Sequence, residues 1–249
     1  MAEDLKEAGG KVRLYVSAPL AGDAMVMADE GQAHYLLHVM RARPGDRVAL
    51  FNGQDGEWLA EIAQAGKRGL CFRCLKQVAA QSHGPDVWLV FAPVKKTPSD
   101  YLVQKAAELG ARVLIPVFTR RTIVARVNAE RMAANAVEAA EQSGRMDVPQ
   151  VRAPVSLEHL LAQWPKERRL YFCDEAAGDA GPLAMAARGA SGPAAILTGP
   201  EGGFDPDERA ALRARDFVVP VTLGPRILRA DTAALAALAI WQAVAGDWS

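Results

Sequence analysis

The chain has 249 residues, and its 29 lysine and arginine side chains balance 29 aspartate and glutamate side chains to give a formal net charge of zero. Half of the residues are hydrophobic and 23% are charged, a globular composition that excludes an intrinsically disordered chain. Three cysteines cannot build a disulfide framework. The N-terminus lacks the apolar core of a signal peptide, and no run approaches the roughly 18 apolar residues of a membrane span. We therefore expect a reduced, cytoplasmic protein without a membrane partner.

The first third of the chain predicts a small β-barrel. Its short apolar or alternating runs are separated by turn signals such as Asn52-Gly53, which is typical of a hairpin. The predicted strands are residues 12–16, 47–51, 57–62 and 71–78, and the one predicted helix is residues 33–40. A polar stretch with Gly and Pro at residues 81–86 indicates a linker. We therefore expect a barrel domain over residues 1–80.

From residue 87 onward, strands and helices alternate. Apolar runs predict strands at residues 87–93, 113–118, 170–173, 194–198 and 217–221. Helices are predicted from the N-cap Thr97 to the stop signal Gly110, over residues 129–142, from the capping sequence Asp205-Pro206 onward, and over residues 230–245. This alternation predicts an α/β domain over residues 86–249, built on a parallel sheet with helices on both faces.

The stretch from Leu197 to Phe204, with the sequence Leu-Thr-Gly-Pro-Glu-Gly-Gly-Phe, joins a predicted buried strand to a helix. Glycines let backbone amides approach a ligand here, and parallel sheets bind ligands at the carboxyl ends of their strands. The loop matches neither a dinucleotide fingerprint nor a phosphate loop. Acidic side chains near the helix start would repel a polyphosphate and accept a neutral or cationic ligand. They are Glu201, Asp205, Asp207 and Glu208. The alternative is a plain strand–helix turn.

A second loop has the same character. Residues 219–226, Val-Pro-Val-Thr-Leu-Gly-Pro-Arg, again run from an apolar strand into Gly-Pro. Two such loops at neighbouring strand ends could hold a flat ring between their backbones.

Basic side chains cluster at residues 41–47, 67–76 and 112–131, and Lys95-Lys96 follows a predicted strand. Each cluster is either a solvated face or part of a phosphate-binding surface. Arg41 and Arg43, together with the stretch from Arg112 to Arg131, are the candidate phosphate contacts.

Two patterns resemble metal sites only weakly. Cys71 and Cys74 form a lone C-x-x-C inside a predicted strand, and His34 and His38 lack the intervening glutamate of a zinc protease. We therefore expect no metal site.

Four motifs occur in order along the chain. They are His34–Asp46 with Pro44-Gly45-Asp46, Gln104–Gly110, Glu141–Arg145, and the pair of loops Gly199–Gly203 and Leu223–Arg229. Together they resemble the RsmE-type family of 16S ribosomal RNA uracil-N3 methyltransferases, of the SPOUT superfamily, over nearly the whole chain. One departure is Asp231, because the family usually has Glu before the Thr-Ala pair.

The resemblance implies a C-terminal SPOUT-type sheet with a deep trefoil knot and an N-terminal PUA-like barrel that helps to hold RNA. It implies the methyl donor S-adenosyl-L-methionine, a substrate in 16S ribosomal RNA, free or within the small ribosomal subunit, and a homodimer whose sites are completed at the subunit interface. The implied donor-binding residues are Leu197, Thr198, Gly199, Pro200, Glu201, Gly202, Gly203, Leu223, Gly224, Ile227, Leu228 and Arg229.

The implied chemistry suits the acidic loop, since the donor carries a positive sulfur and no phosphate. Uracil N3 must lose its proton, and a cation would stabilise the charge that develops on the neighbouring oxygen. Arg145 and Arg229 are candidates for that role or for positioning a phosphate. Glu201, Glu141 and Asp231 are the candidates for accepting the proton, and the choice among them stays open.

Two other functions are compatible with the sequence. One is a related methyltransferase acting on a ribose 2′-hydroxyl or another base. The other is an RNA-binding protein that has lost catalysis, although such a protein would not need the two glycine loops.

The predicted helix over residues 230–245 is apolar almost all round, with Gln242 as its polar exception after Thr232. Leu235, Leu238 and Trp241 are therefore candidate anchors of a symmetric dimer contact. The alternative is that the helix is buried beneath other elements of its own chain.

Overall fold

The computed structural model describes residues 12–66, 69–94, 96–176 and 178–248. Lys67, Arg68 and Lys95 of the predicted basic clusters lie outside these residues, and so do residues 1–11 of the predicted barrel domain. The chain forms two compact units. The first runs up to His83 and also contains Ala140–Val148, and the second contains Gly84–Ala139 and the rest of the chain from Pro149.

The first unit contains a five-stranded sheet. Its strands are β1 (Arg13–Tyr15), β2 (Met25–Met27), β3 (Arg47–Phe51), β4 (Glu57–Gly66) and β5 (Gly69–Ala79). They lie in the order β1-β3-β4-β5-β2, with β1 parallel to β3 and the other pairs antiparallel. The hairpin predicted at Asn52-Gly53 is confirmed, because β3 pairs antiparallel with β4 across it. β2 was not predicted, because three residues are too few for an alternating pattern to stand out.

A short helix, α1 (Glu30–His34), crosses the first unit and continues into a π-helical turn (Tyr35–Val39). Asp29 caps α1 in a reciprocal capping box with Gln32. Leu36 on the π-helical turn is fully buried in a core that includes Ile62 and Phe72. The helix predicted at residues 33–40 therefore exists, but it begins three residues earlier.

Residues 140–148 belong to the first unit because Arg13 holds their backbone. Its guanidinium donates to the carbonyl oxygens of Ala140, Glu141 and Arg145 at 2.9, 3.0 and 2.7 Å, and it pairs with Glu57 at 2.7 Å. The predicted domain boundary near residue 80 therefore leaves out Ala140–Val148, which also belong to the first unit.

The second unit is built on a parallel sheet, as predicted. Its strands are β6 (Val87–Phe91), β7 (Val113–Phe118), β8 (Gln150–Val151), β9 (Val155–Ser156), β10 (Arg169–Cys173), β11 (Ala194–Thr198) and β12 (Val218–Val221). The order is β12-β10-β11-β6-β7-β8, and β9 also pairs with β7. β12 thus lies beside β10, although β11 comes between them in the chain. The trefoil knot stays a prediction.

Helices cover both faces of this sheet, which confirms the predicted layers. They are α2 (Lys96–Glu108), α3 (Ala129–Ser143, whose last residues belong to the first unit), α4 (Leu157–Ala162), α5 (Leu183–Ala186), α6 (Pro206–Arg213) and α7 (Ala230–Ala245). α4 and α6 pack on the face that carries Val90, Phe172 and Leu197. α7 packs on β11 and β6 together with α2 and α5. No helix that the structure describes is long and apolar enough to cross a membrane.

α7 is buried on one side within its own chain. Leu238 is fully buried and Trp241 is 3% exposed, so the expectation that these two side chains anchor a dimer contact is wrong. Gln242 is also fully buried and donates to the carbonyl oxygen of Leu109 at 2.8 Å, at the end of α2. The outer side of α7 therefore carries no polar side chain after Thr232, and its half-buried residues include Leu235 and Ala239.

Candidate ligand-binding cleft

A cleft of about 140 Å³ lies in the second unit, at the edge of the sheet where β10, β11 and β12 end. Three segments line it, one after each strand, together with the start of α7. Open α/β sheets bind their ligands at this edge. The lining residues are Cys173, Asp174, Glu175, Thr198, Gly199, Pro200, Glu201, Gly203, Val221, Thr222, Leu223, Gly224, Pro225, Arg226, Ile227, Leu228, Ala230 and Ala233.

The loop after β11, residues 199–203, requires glycine at two positions. A Cβ atom on Gly199 would lie 2.5 Å from Cε2 of Phe204, and that ring is fixed in the core against Phe172, 4.9 Å away. Gly203 has φ +66°, a backbone conformation that residues with a side chain rarely adopt, and a Cβ there would also meet Glu175. Gly202 has neither constraint, since its nearest neighbour would be Arg121 at 3.7 Å. Packing at Gly199 and backbone conformation at Gly203 therefore fix these two glycines, which both line the cleft.

The loop after β12, residues 222–229, is held at its start and open at its tip. Thr222 donates its N–H to the carbonyl oxygen of Gly181 at 3.0 Å and accepts the N–H of Leu183 at 3.1 Å. Gly224 has φ +110° and open space around it, and Ile227 is 91% exposed. The apolar side chain of Ile227 is thus available to cover a bound molecule.

Asp174 was missed by the sequence reasoning, and the structure makes it a central residue of the cleft. Its carboxylate is fully buried and accepts hydrogen bonds from Nε of Arg209 at 3.0 Å and Nε of Arg213 at 3.1 Å. Arg213 also pairs with Asp179, which raises the pKa of the guanidinium and lowers that of the Asp179 carboxyl. This network fixes the segment after β10 to α6. The signal in the sequence was a carboxylate directly after a continuous apolar strand.

The exposed charges of the cleft lining are two carboxylates, Glu175 and Glu201, and one guanidinium, that of Arg226. Burial, and secondarily the neighbouring Glu175, raises the pKa of the Cys173 thiol to about 12, so this side chain stays neutral. The cleft is therefore mildly acidic and offers no cluster of cations for a polyphosphate.

The other predicted acidic residues of the glycine loop have different roles. Asp205 and Glu208 form the capping box of α6, as predicted. Nη1 of Arg120 donates to Asp205 at 2.8 Å and to Asp207 at 2.6 Å, and the backbone N–H of Arg120 donates to Glu208 at 2.8 Å. These three carboxylates thus bind an arginine of the loop after β7, which corrects the expectation that they repel a ligand.

Nine of the twelve predicted donor-binding residues line the cleft. Leu197 does not, because its side chain packs in the core beneath the sheet. Gly202 is outside the lining, and its carbonyl oxygen accepts a hydrogen bond from Nη1 of Arg121 at 3.0 Å. Arg229 is exposed at the N-cap of α7, directly after the last cleft residue of the second loop.

Of the predicted catalytic residues, Glu201 lines the cleft and Arg145 belongs to the first unit. Nη2 of Arg145 pairs with Asp147 at 3.1 Å. The two other candidate proton acceptors have backbone partners: Glu141 accepts the N–H of Tyr15 at 2.9 Å, and Asp231 accepts the N–H of Thr232 at 2.8 Å.

The weak metal patterns find no support in geometry. Cys71 and Cys74 are free, buried cysteines of β5, and the rings of His34 and His38 lie against each other at 4.8 Å. Among the described residues, no group of three His, Cys, Asp or Glu side chains could hold a metal ion.

Known proteins resemble both parts of the chain. The RNA methyltransferase domain family matches residues 82–242, and the RNA methyltransferase PUA domain family matches residues 28–73. The ribosomal RNA small subunit methyltransferase E of Rickettsia conorii is 31% identical over 91% of this chain and 93% of its own, and that of Synechocystis is 32% identical over 91% and 76%. The solved structure of the enzyme of that name from Neisseria gonorrhoeae, bound to S-adenosyl methionine, has a TM-score of 0.85 and 29% identity, covering 95% of this chain and 99% of its own.

Proposed function

The chain belongs to the RNA methyltransferase family that includes the ribosomal RNA small subunit methyltransferases E, and we propose that it transfers the methyl group of S-adenosylmethionine to N3 of a uridine in 16S ribosomal RNA. The observation that carries this proposal is the cleft between the two glycine loops, at the carboxyl edge of the parallel sheet. A ribosomal RNA substrate places the enzyme in the cytoplasm.

The residues of the cleft fit this donor. Gly199 and Gly224 both line the cleft without a side chain, and Ala230 and Ala233 are small where α7 borders it. The nearby Glu201 carboxylate favours a cationic sulfur. When bound, S-adenosylmethionine supplies an electrophilic methyl group.

The protein must also remove the N3 proton and stabilise the resulting charge. Glu201 is our candidate for accepting the proton, because it lines the cleft while Glu141 and Asp231 accept backbone hydrogen bonds. Arg229 follows the second loop and Arg145 follows the Glu-Gln-Ser-Gly motif. We assign the stabilisation of the uracil oxygen or of a phosphate to the exposed guanidinium of Arg229, and to that of Arg145 only when it is released from its ion pair with Asp147.

The proposed assembly is a homodimer, and the outer side of α7 supports it. Between Thr232 and Ala245 the only polar side chain, Gln242, is buried. Ala239 is on the half-exposed side, so Ala239→Glu would place a charge in the contact without disturbing the core. We expect light scattering to give a monomer for Ala239→Glu. The matched variant Ala243→Glu, in the last turn of α7, tests the extent of the contact: it stays a dimer if the contact ends before that turn. A dimeric Ala239→Glu protein would remove this helix from the interface.

The decisive experiment maps methylation in 16S ribosomal RNA from cells lacking the enzyme, before and after the purified protein and donor are added. We expect one new 3-methyluridine, and parallel reactions on free RNA and on small ribosomal subunits identify the form that is methylated. Methylation at a ribose 2′-hydroxyl or another base would give the enzyme a different target. An RNA-binding protein without catalysis would yield no product and no thermal shift with S-adenosylhomocysteine.

A further inference from the structure

A second cleft lies in the same unit at the ends of β6 and β7, and the proposed function leaves it without a role. Its volume is about 300 Å³. Its lining consists of the segment after β6, the first turns of α2 and α3, and the loop after β7. The lining residues are Pro93, Val94, Ser99, Asp100, Val124, Arg126, Val127, Asn128, Arg131 and Met132.

This second cleft lies near the first. A small pocket of about 30 Å³ lies between them and is lined by Pro93, Val94 and Val124 of the second cleft and by Pro200 and Glu201 of the first. Since the carboxyl ends of neighbouring parallel strands meet at one edge, the two clefts and the small pocket lie in a row along that edge. A chain-like ligand that reaches Glu201 can therefore extend into the second cleft.

The loop that forms the outer wall of the second cleft is fixed. A tight turn closes its start, where Thr122 donates its N–H to the carbonyl oxygen of Thr119 at 3.1 Å. Arg120 binds the carboxylates at the start of α6, and Arg121 binds the carbonyl oxygen of Gly202. These contacts hold the start of the loop against the glycine loop after β11. Ile123 protrudes from the loop after β7, with 82% of its surface exposed.

The charges of the second cleft leave one arginine for a ligand. Nε of Arg131 donates to Asp100 at 3.0 Å, and Asn135 donates to the same carboxylate at 3.1 Å, so these charges compensate each other. Arg126 is exposed and has no ion pair within the described part of the chain. The rest of the wall is apolar, with Val124, Val127 and Met132. One cation beside apolar walls suits a nucleotide, whose phosphate is anionic and whose base has a flat face that packs against apolar side chains.

We propose that the second cleft holds a nucleotide of the RNA substrate next to the methylated one, with Arg126 on its phosphate. This inference rests on the proposed function. It assigns the phosphate contact to Arg126 alone among the arginines between Arg112 and Arg131. Arg120 and Arg131 are engaged in ion pairs. Arg112 directly precedes β7, at the end of the strand opposite the two clefts, whereas Arg126 belongs to the loop that follows β7 and lines the second cleft.

The test compares Arg126→Glu with the matched charge reversal Arg112→Glu. We expect Arg126→Glu to raise the KM for RNA about tenfold and to lower the salt dependence of RNA binding by about one phosphate contact. The Kd for S-adenosylhomocysteine should stay unchanged, Arg126→Lys should restore most of the affinity, and Arg112→Glu should behave like the wild type. Val127→Trp, which fills the cleft without changing charge, should also raise the KM for RNA.

Equal RNA affinities of Arg126→Glu and Arg112→Glu in proteins that bind S-adenosylhomocysteine normally would overturn the inference. So would a normal KM for RNA in Val127→Trp. The proposed function fails in a different way, since the wild-type protein would then methylate no RNA. In that case RNA binding, measured by fluorescence anisotropy on the same variants, still decides whether the second cleft contacts RNA.

Discussion

Substitution of Gly199 by alanine tests the assignment of the cleft most directly. The added Cβ would lie 2.5 Å from Cε2 and 2.9 Å from Cδ2 of Phe204, well inside contact distance. Phe204 is 3% exposed and packs edge-to-face on Phe172, so its ring cannot turn away. Forcing an extra methyl group into such a site costs about 1–3 kcal/mol.

That cost must appear in one of two measurements. If the loop shifts to relieve the clash, the Kd for S-adenosylhomocysteine rises by about 5- to 150-fold, since 1.4 kcal/mol is a factor of ten. If the loop stays in place, the free energy of unfolding falls by the same amount. Isothermal titration and urea denaturation on one protein sample therefore account for the whole effect of Gly199→Ala.

Gly202→Ala is the matched control in the same loop. Its Cβ would lie 3.7 Å from Arg121, an ordinary contact, and Gly202 is outside the cleft lining. We expect both measurements on Gly202→Ala to match the wild type, although the family resemblance implies that Gly202 binds the donor. A Gly199→Ala protein with normal stability and normal affinity would refute the assignment of this loop, and so would equal damage from Gly202→Ala.

Three further predictions concern single side chains. Arg120→Ala should leave RNA affinity and its salt dependence unchanged in a binding titration, because Asp205 and Asp207 already neutralise this guanidinium. Arg168→Ala should lower the free energy of unfolding by about 2 kcal/mol in urea, because the 7%-exposed guanidinium pairs with Asp86 at 2.6 Å and donates to the carbonyl oxygens of Asp86 and Ala194, and the substitution removes all of these contacts. The raised pKa of Cys173 means that the unfolded chain ionises first as pH rises above 9, so stability should fall between pH 9 and 12, and Cys173→Ala should remove that part of the loss.

The elements that the sequence predicted best are those whose signals are local. Strands 113–118 and 194–198 and helix 230–245 have the predicted bounds, because continuous apolar runs and capping residues define them. Gly110 ends α2 with φ +84°, as its position indicated. The short strands β2, β8 and β9 and the helix α4 were missed, since two to six residues acquire their structure from the neighbours on which they pack.

Of the candidate site, the sequence predicted the two glycine loops but not the buried carboxylate beside them. The two glycine loops carry their own signal, but the buried carboxylate of Asp174 depends on Arg209 and Arg213, 35 and 39 residues away. Leu238 shows the same limit in a helix. Because α7 is apolar almost all round, periodicity could not tell which side faces the sheet, and the side chain expected in a dimer contact is fully buried.

The strand order explains why we propose both the donor site and the RNA site at one edge of the sheet. Since β12 returns to lie beside β10, the loops after β11 and β12 converge on the residues after β10, although about twenty residues separate them in sequence. β11 also borders β6, so its glycine loop has the donor cleft on one side and the second cleft on the other. Glu201, in that loop, lines both the donor cleft and the small pocket that leads onward. We therefore propose that the Glu201 carboxylate meets the acceptor base at this junction, which is the position that the removal of a proton from N3 requires.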